Sequence, residues 1–520
     1  MGQAALLLVA GAVLSRIFGF IRETVIAYQF GATAQTDAFL VASIVPVALS
    51  GMVAVAMTAA FIPVFTEYRL QAGEGEAWTV ASAVINLTLL ALAAATVLYI
   101  LTAPVLVPLL APGLAPETKS LAVRLSMLIA PTLIFTGLVG IGTAILNAYR
   151  HFTYPAFAGL LYNFGMIGGA LLLGGIMGIT GLVVGAVVGS AAHLLALTIP
   201  LVSQKNYYLL TLKGLGLPGV KKIGLLLLPF IIGSATSQIN ILVDRILASG
   251  LAEGSISALN FAVRVQQLPL GIFAGAAATA AYPFLAEQAA AQNANNDLRN
   301  TFSEGLRSLW FIVFPLSVGL MVLSEPIVRL LFERGAFDAV ATRMTAIALV
   351  YYSMGIFASA ASFLLLRVYF ALQDTATPVK LGLCAVGLNI VLNLILVRYL
   401  AHGGLALATS IVAIAECLLL AYFLRHRLGR IDGRRIMRST VKFSVSSIVM
   451  GVVVTVAHRY TLLFFDPALL AHRFLQVGVL IALGGLVYIV AAALLRTEEL
   501  ARAIAWAGAK LLRGGAGGWR

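Results

Sequence analysis

Apolar runs of about twenty residues or more follow one another along the chain to about position 495, separated by short polar connections. A helix of that length matches the hydrocarbon thickness of a bilayer. The pattern predicts fourteen helical spans, roughly 4–28, 35–65, 78–110, 121–147, 154–175, 180–202, 221–249, 256–286, 303–323, 342–371, 378–397, 403–424, 438–457 and 474–495. The alternating segments of about ten residues that mark a transmembrane barrel are absent. The expected fold is an all-α polytopic membrane protein. Pro46 with Gly51, Pro131 and Pro269 fall inside spans. Bends are expected there, because neighbouring helices can satisfy the freed backbone groups. Gly181, Gly185 and Gly189 form a small-residue ridge suited to close helix contact.

The pattern also repeats at an offset of 220 to 223 residues. Arg22 aligns with Arg245, Gly31 with Gly254 and Asp37 with Asn260. TAAFIPVFTE, ending at Glu67, aligns with TAAYPFLAE, ending at Glu287. APVLVPLLAPG (103–113) aligns with EPIVRLLFERG (325–335), and Pro155 with Pro378. Ordered matches at one offset mark an internal duplication. Two homologous six-helix lobes are expected, an N-lobe at 1–220 and a C-lobe at 221–430. A C-terminal helix pair (431–497) and a basic tail (498–520) follow. Six spans per lobe give a parallel repeat, which places substrate between the halves and suits alternating access.

Composition agrees with this reading and narrows the partners. The 520 residues are 61% hydrophobic and 10% charged, with a formal net charge of +14. Mean hydropathy is +1.00. The positive excess sits in short loops and the tail, so it reads as an orientation signal and no nucleic-acid partner is expected. Loops on the side of the termini carry sixteen Lys and Arg, the opposite loops eight, so both termini are expected in the cytoplasm. The first apolar segment lacks a basic leader and a convincing cleavage site, and is read as a permanent span. Cys384 and Cys417 both lie in spans and imply no disulfide framework or metal site. Six scattered histidines, with neither HExxH nor a Walker A motif, argue against an enzyme.

Against this background the intramembrane charges stand out. The stretch 14–37, LSRIFGFIRETVIAYQFGATAQTD, carries Arg16, Arg22, Glu23 and Asp37. A charge at the bilayer centre costs about 2.5–3.5 kcal/mol on insertion scales, so such groups face a bundle interior or a wet cavity. The later half supplies Asp244, Arg245, Arg264 and Arg367, with Glu416. Arginine forks suit a phosphate or carboxylate, making Arg16, Arg22, Arg245 and Arg264 candidate substrate ligands. Two structural alternatives stay open. Arg22 can pair with Glu23 or Asp37, and Arg245 with Asp244, as structural or gating ion pairs. Asp37 can instead serve the first turn of the second span, where a carboxylate is favourable. A second polar group comprises Asn389 and Asn393 on one helix face, Thr409 and Ser410, with Asp244. It suits sodium, a proton relay or plain interhelical hydrogen bonding.

SRIFGFIRE and TDAF (15–39), AAFIPVFTEY (59–68), GTAILNAYRHFTYPAFA (142–158), FAVRVQQLPLGIF (261–273) and QDTATPVK (373–380) are similar to the MurJ/MviN lipid II flippases. These belong to the multidrug, oligosaccharidyl-lipid and polysaccharide exporters. The resemblance implies fourteen helices and movement of the undecaprenyl-diphosphate-linked peptidoglycan precursor to the outer leaflet of the bacterial cytoplasmic membrane. It implies that Arg16, Arg22, Arg264 and Asp37 bind the diphosphate, and that the last helix pair accepts the lipid tail. Through some members it also implies a sodium site mapping to Asp244, Asn389, Asn393, Thr409 and the backbone of Leu405. This chain departs from the pattern near Ser50 and Gly51, where many members have an arginine, and at Asn393, which replaces an acid. No other cofactor is expected. Partners would be the lipid-linked disaccharide-peptide, membrane lipid and the cell-wall synthesis machinery. The rival readings are a flippase for another lipid-linked polysaccharide precursor and a cation-coupled drug exporter, which would need an acidic cavity.

Overall fold

The computed structural model describes residues 2–202, 208–209, 216–290, 294–429, 432–461, 463–466 and 469–505, and every regular element among them is helical. Of the basic residues used to orient the chain, Lys205, Lys213, Arg430, Lys510, Arg513 and Arg520 lie outside the described residues. So does most of the basic tail.

Among the described residues nine helices are long and apolar enough to cross a membrane, or eleven if each of two bent pairs is one span. That is fewer than the fourteen spans expected, and the difference has identifiable sources. The count leaves out α1 (Gly2–Phe30) and α10 (Pro218–Ser249) and takes α17 (Ala376–Leu428) as one helix. Fifty-three continuous residues would reach about 80 Å, well over twice a hydrocarbon core. The helix is in fact broken at Ala401, with φ 48° and ψ −132°. That break lies in the gap between the two spans expected there.

Pro46, Pro131 and Pro269 sit at or beside helix breaks, whereas Pro63, Pro104, Pro108 and Pro315 lie inside continuous helices. Span two is split into α2 (Ala34–Ala42) and α3 (Ile44–Gln71), just ahead of Pro46. Pro269 ends α11 (Ser255–Pro269), and a π-helical turn, Leu270–Ala274, leads into α12 (Gly275–Ala290). Pro46 and Pro269 are equivalent in the repeat. α5 (Pro116–Ile129) and α6 (Thr132–Ala148) bend by 43° around Pro131. The equivalent pair, α15 (Ala339–Ser353) and α16 (Ile356–Ala371), bends by 47° at Gly355. These breaks fall at positions that correspond at the repeat offset read from the sequence.

By packing, the chain divides into two compact units, residues 1–257 with 334–341, and residues 258–333 with 342–520. In the first unit α7 (Thr153–Gly168) packs on α9 (Ile179–Val202). A Cβ at Gly165 would fall 2.4 Å from the Cα of Gly189, and one at Gly169 would fall 2.6 Å from the Cα of Gly185. The glycine ridge read from the sequence is thus a backbone-to-backbone contact. A second core stacks Phe61 on Phe65 at 5.3 Å, beside Trp78 of α4 (Glu74–Leu110). Val220 and Ile223 of α10 complete that core, which holds α10 in the first unit. The repeat instead places α10 at the head of the second lobe. The division by packing therefore falls at a different point from the one expected from the repeat.

The second unit is centred on Phe302 and Leu306 of α13 (Ala294–Val322), Leu364 and Tyr369 of α16, and Leu420 of α17. α18 (Gly433–Thr461) and α19 (Leu470–Leu494) pack together and against α13, where Phe311 meets Tyr488 and Phe443. Arg307 on α13 is 1% exposed, and donates to Glu499 at 2.8 Å and Glu498 at 3.1 Å. Glu499 also accepts from Ser439 of α18 at 3.0 Å. The segment following α19 is thereby pinned to α13 and α18. The QDTATPVK stretch forms the turn into α17, where Asp374 accepts from the Thr377 N–H and hydroxyl and pairs with Arg427.

Candidate functional site

The charged stretch of α1 is held from within the first unit. The Arg22 guanidinium donates to Glu23 at 2.6 Å and to Asn163 of α7 at 3.0 Å, and stands 5.8 Å from the ring centroid of Tyr162. Glu23 is buried. This is the Arg22–Glu23 pair that the sequence left open, with Asn163 and Tyr162 added. The Arg22 Nε is buried with no hydrogen-bond partner among the described residues. A guanidinium in a low-dielectric setting with a donor to spare can still take an anion's oxygen. Arg16, two turns earlier, is exposed. Arg264 and Arg367 belong to the second unit and are half-buried, Arg367 standing 5.6 Å from the ring of Tyr282. At the position where an arginine is missing, Ser50 turns its hydroxyl back to Pro46 O at 2.7 Å, and a Cβ at Gly51 would meet nothing within 4 Å.

Asp37 has a different occupation. It lies in the first turn of α2, yet its carboxylate serves another helix. It accepts the Gly254 N–H at 2.8 Å, the Ser257 N–H at 2.8 Å and the Ser257 hydroxyl at 2.5 Å, at the start of α11. The exchange is reciprocal, since Glu253, just ahead of α11, accepts the Ala34 N–H that opens α2, at 2.9 Å. Each helix start thus has a carboxylate from the other, where orphan N–H groups and the helix dipole favour negative charge. Arg245 lies within Coulombic range of Asp37 and donates to Ile256 O at 3.1 Å. The structure thus brings Asp37 and Arg245 together, apart from the Arg22–Glu23 pair.

Around this exchange the loops meet backbone to backbone. Gly31, Gly254 and Gly335 have φ of 64°, 83° and 61°. Their Cβ atoms, if present, would lie 2.3 Å from Ala336 O, 2.2 Å from Ala32 O and 2.3 Å from Tyr28 O. A Cβ on Gly113 would lie 2.3 Å from the Cα of Gly250. The Ala336 N–H donates to Tyr28 O at 2.8 Å. Conformation and spacing together exclude a side chain at Gly31, Gly254 and Gly335, and spacing alone does so at Gly113. Sequence reasoning missed the closure, as it missed Asn163, Glu253 and Ser257. A signal was present, because Gly31 aligns with Gly254 and Gly113 with Gly335 in the duplication.

The second polar group divides between the units. In the second, Asn393 donates to Asn389 at 2.8 Å, both buried, and Thr409 donates to Leu405 O at 3.1 Å. Ser410 donates to Tyr351 O at 2.6 Å. Asp244 belongs to the first unit. Neutral amide, hydroxyl and carbonyl oxygens suit a hard cation once a carboxylate joins them. No cluster of three or more His, Cys, Asp or Glu that could hold a metal occurs among the described residues.

A bundle of broken apolar spans with a half-buried, paired arginine in its first helix defines a class, the multi-pass membrane proteins. The model of one family, lipid II flippase MurJ, matches residues 26–475. A probable lipid II flippase of Vibrio cholerae is 32% identical over 473 residues, covering 87% of each chain. A lipid II flippase of Burkholderia cenocepacia is 30% identical over 437 residues, covering 81% of this chain and 84% of its own. Among solved structures, a lipid II flippase in an inward closed conformation superposes with a TM-score of 0.79 at 28% identity, covering 94% of this chain and 98% of its own. An inward-facing multidrug resistance transporter of the MATE family shares the fold, with a TM-score of 0.68 at 16% identity over 82% of this chain and 99% of that one. The chain belongs to the lipid II flippase MurJ family and is a multi-pass inner-membrane protein.

Proposed function

We propose that this chain moves lipid II from the inner to the outer leaflet of the bacterial cytoplasmic membrane by alternating access, with both termini in the cytoplasm. The observation that carries the site is Arg22, whose guanidinium is oriented by Glu23 and Asn163 with its Nε left over. Arg22, Arg264 and the exposed Arg16 take the diphosphate. Asp37 and Arg245 act in the loop closure, which must open to release the head group. The two homologous lobes alternate, and the helix pair at 431–497 carries the lipid tail. Asp244, Asn389, Asn393, Leu405 and Thr409 are the sodium candidates. Membrane potential is the other energy source, worth about 2.3 kcal/mol per elementary charge per 100 mV. The chain does no covalent chemistry on its substrate, and its protein partners are the cell-wall synthesis machinery.

The test is depletion of the resident lipid II flippase in a bacterium and complementation by this chain, scoring outer-leaflet lipid II. Wild type, Arg264→Ala and Arg22→Lys run side by side with expression checked. Rescue by wild type alone supports the reading. Rescue by all three removes the arginines from the site. Failure of well-expressed wild type points to a different lipid-linked sugar.

A further inference from the structure

A crevice of about 1330 Å³ lies within the second unit, at the start of α18. Its lining includes Arg299, Arg425, Arg434, Arg438 and Lys442, against one acid, Asp432. Asp432 accepts from Ser303 at 3.2 Å, and Lys442 donates to Arg496 O at 2.9 Å. Arg425, Arg434 and Arg438 have no ion pair or hydrogen bond among the described residues.

The cations stand in an unfavourable place. Arg434 and Arg435 lie in the first turn of α18 and Arg438 in the second, and no acid is in that first turn. A helix start carries a partial positive charge, so cations there repel it. Arg435 is neutralised by Glu498 at 2.6 Å, but Arg434 and Arg438 are not. Asp432 stands just ahead of the helix but pairs with neither, and both arginines are exposed to water and to any anion that arrives. The crevice is also built to its shape. Arg299 reaches across to Gly429 (φ 78°), where a Cβ would fall 2.6 Å from its guanidinium.

Below the cations the same face of α18 turns apolar. Met437 and Val441 line the crevice, and Val445, Ile448 and Val452 continue the line, all exposed. Spacings of four, four, three and four residues keep them on one stripe. A headgroup anion at the helix start and hydrocarbon along the stripe is the outline of one amphiphile. Basic pockets between spanning helices on the cytoplasmic side recognise anionic lipid headgroups.

We propose that this crevice is a binding site for an anionic phospholipid of the surrounding leaflet. Its phosphate is held by Arg434, Arg438 and Arg425, and an acyl chain lies along Met437, Val441 and Ile448. The site shares α18 with the helix pair assigned above to the substrate's lipid tail, and the undecaprenyl diphosphate arm of the test separates the two.

The full chain in detergent is titrated with phosphatidylglycerol, phosphatidylcholine, undecaprenyl diphosphate and inorganic diphosphate, and bound lipid is counted by native mass spectrometry. Arg434→Gln/Arg438→Gln should weaken phosphatidylglycerol about thirtyfold and leave phosphatidylcholine unchanged. Both arginines are exposed and unpaired, so the double variant should melt like wild type. Arg398→Gln, an exposed cation on another helix segment, should leave binding unchanged. Equal phosphatidylglycerol affinity in wild type and the double variant overturns the site. Loss of undecaprenyl diphosphate with phosphatidylglycerol retained overturns it in favour of the lipid carrier. Displacement of the lipid by inorganic diphosphate at equal concentration overturns it in favour of a free anion.

Discussion

Asp37 on α2 accepts two hydrogen bonds from Ser257, one from its N–H at 2.8 Å and one from its hydroxyl at 2.5 Å. Both groups are buried, so neither has water as an easy substitute. Asp37→Asn keeps the shape but removes the charge, and turns an N–H₂ toward donors on at least one side. Leaving a buried donor unmatched costs about 1–3 kcal/mol. The cost falls on the closed arrangement alone, so the variant should open more. In a Cys384→Ser background, a cysteine at Thr33 should react with an impermeant maleimide about tenfold faster in Asp37→Asn than in the parent. Equal rates would show that the bonds do not hold the loops.

The glycines make a second, sterically different test of the same closure. Gly254→Ala must accept φ of 83° and a carbonyl 2.2 Å from its Cβ, and Gly335→Ala must accept φ of 61° and a carbonyl at 2.3 Å. The conformation alone costs about 1–2 kcal/mol per residue, and the overlap adds to it. Each variant should raise labelling at Thr33→Cys and impair complementation. Gly51→Ala, with nothing within 4 Å, should do neither.

The C-terminal clamp yields a prediction with a pH sign. Hydrogen bonds from Arg435 and Arg307 hold the Glu498 carboxyl at about 2, down from 4.5. A carboxyl lowered on folding contributes stability that is complete above its unfolded value. That contribution fades as pH falls from about 4.5 toward 2. The Tm in detergent should therefore be flat from pH 8 to 5 on this account and fall below. Glu498→Gln should flatten the acid limb while costing little at pH 7, since Glu498 is about half exposed. Arg307→Ala should cost far more at any pH. It leaves Glu499 buried without its cation, a loss of about 3–5 kcal/mol.

Much of the fold was legible in the chain, for physical reasons. Apolar run length reports spans, and prolines 46, 131 and 269 report their breaks, because both effects are local. Arg22 beside Glu23 was legible as a pair for the same reason. The partners brought from elsewhere were not. Nothing near Asp37 in the sequence names Ser257, 220 residues away, and Asn163 looks like any polar residue in a span. The glycine columns of the duplication were visible as matches, but their meaning depends on φ and on loops meeting. The crevice at the start of α18 was read only as an orientation signal, because charge counting shows how many cations a loop holds and not which of them lack partners.

The break in α17 offers a test of strain rather than of contact. Ala401 sits at φ 48° and ψ −132°, a region that glycine tolerates and a Cβ does not. The turn is also tight from the other side, since a Cβ at Gly404 would fall 2.3 Å from Leu396 O. The surrounding helices therefore hold Ala401 in a conformation costing about 1–3 kcal/mol. Glycine would relieve the strain at once but would also loosen the unfolded chain, returning about 1 kcal/mol of the gain. The net expectation for Ala401→Gly is a rise in Tm of a few degrees with transport unchanged. Ala401→Val should lower Tm by more, because a β-branched residue meets the same conformation with less room. A lower Tm for Ala401→Gly would mean that the bend is imposed by neighbouring packing that uses the Ala401 methyl, and that the strain is smaller than the backbone angles imply.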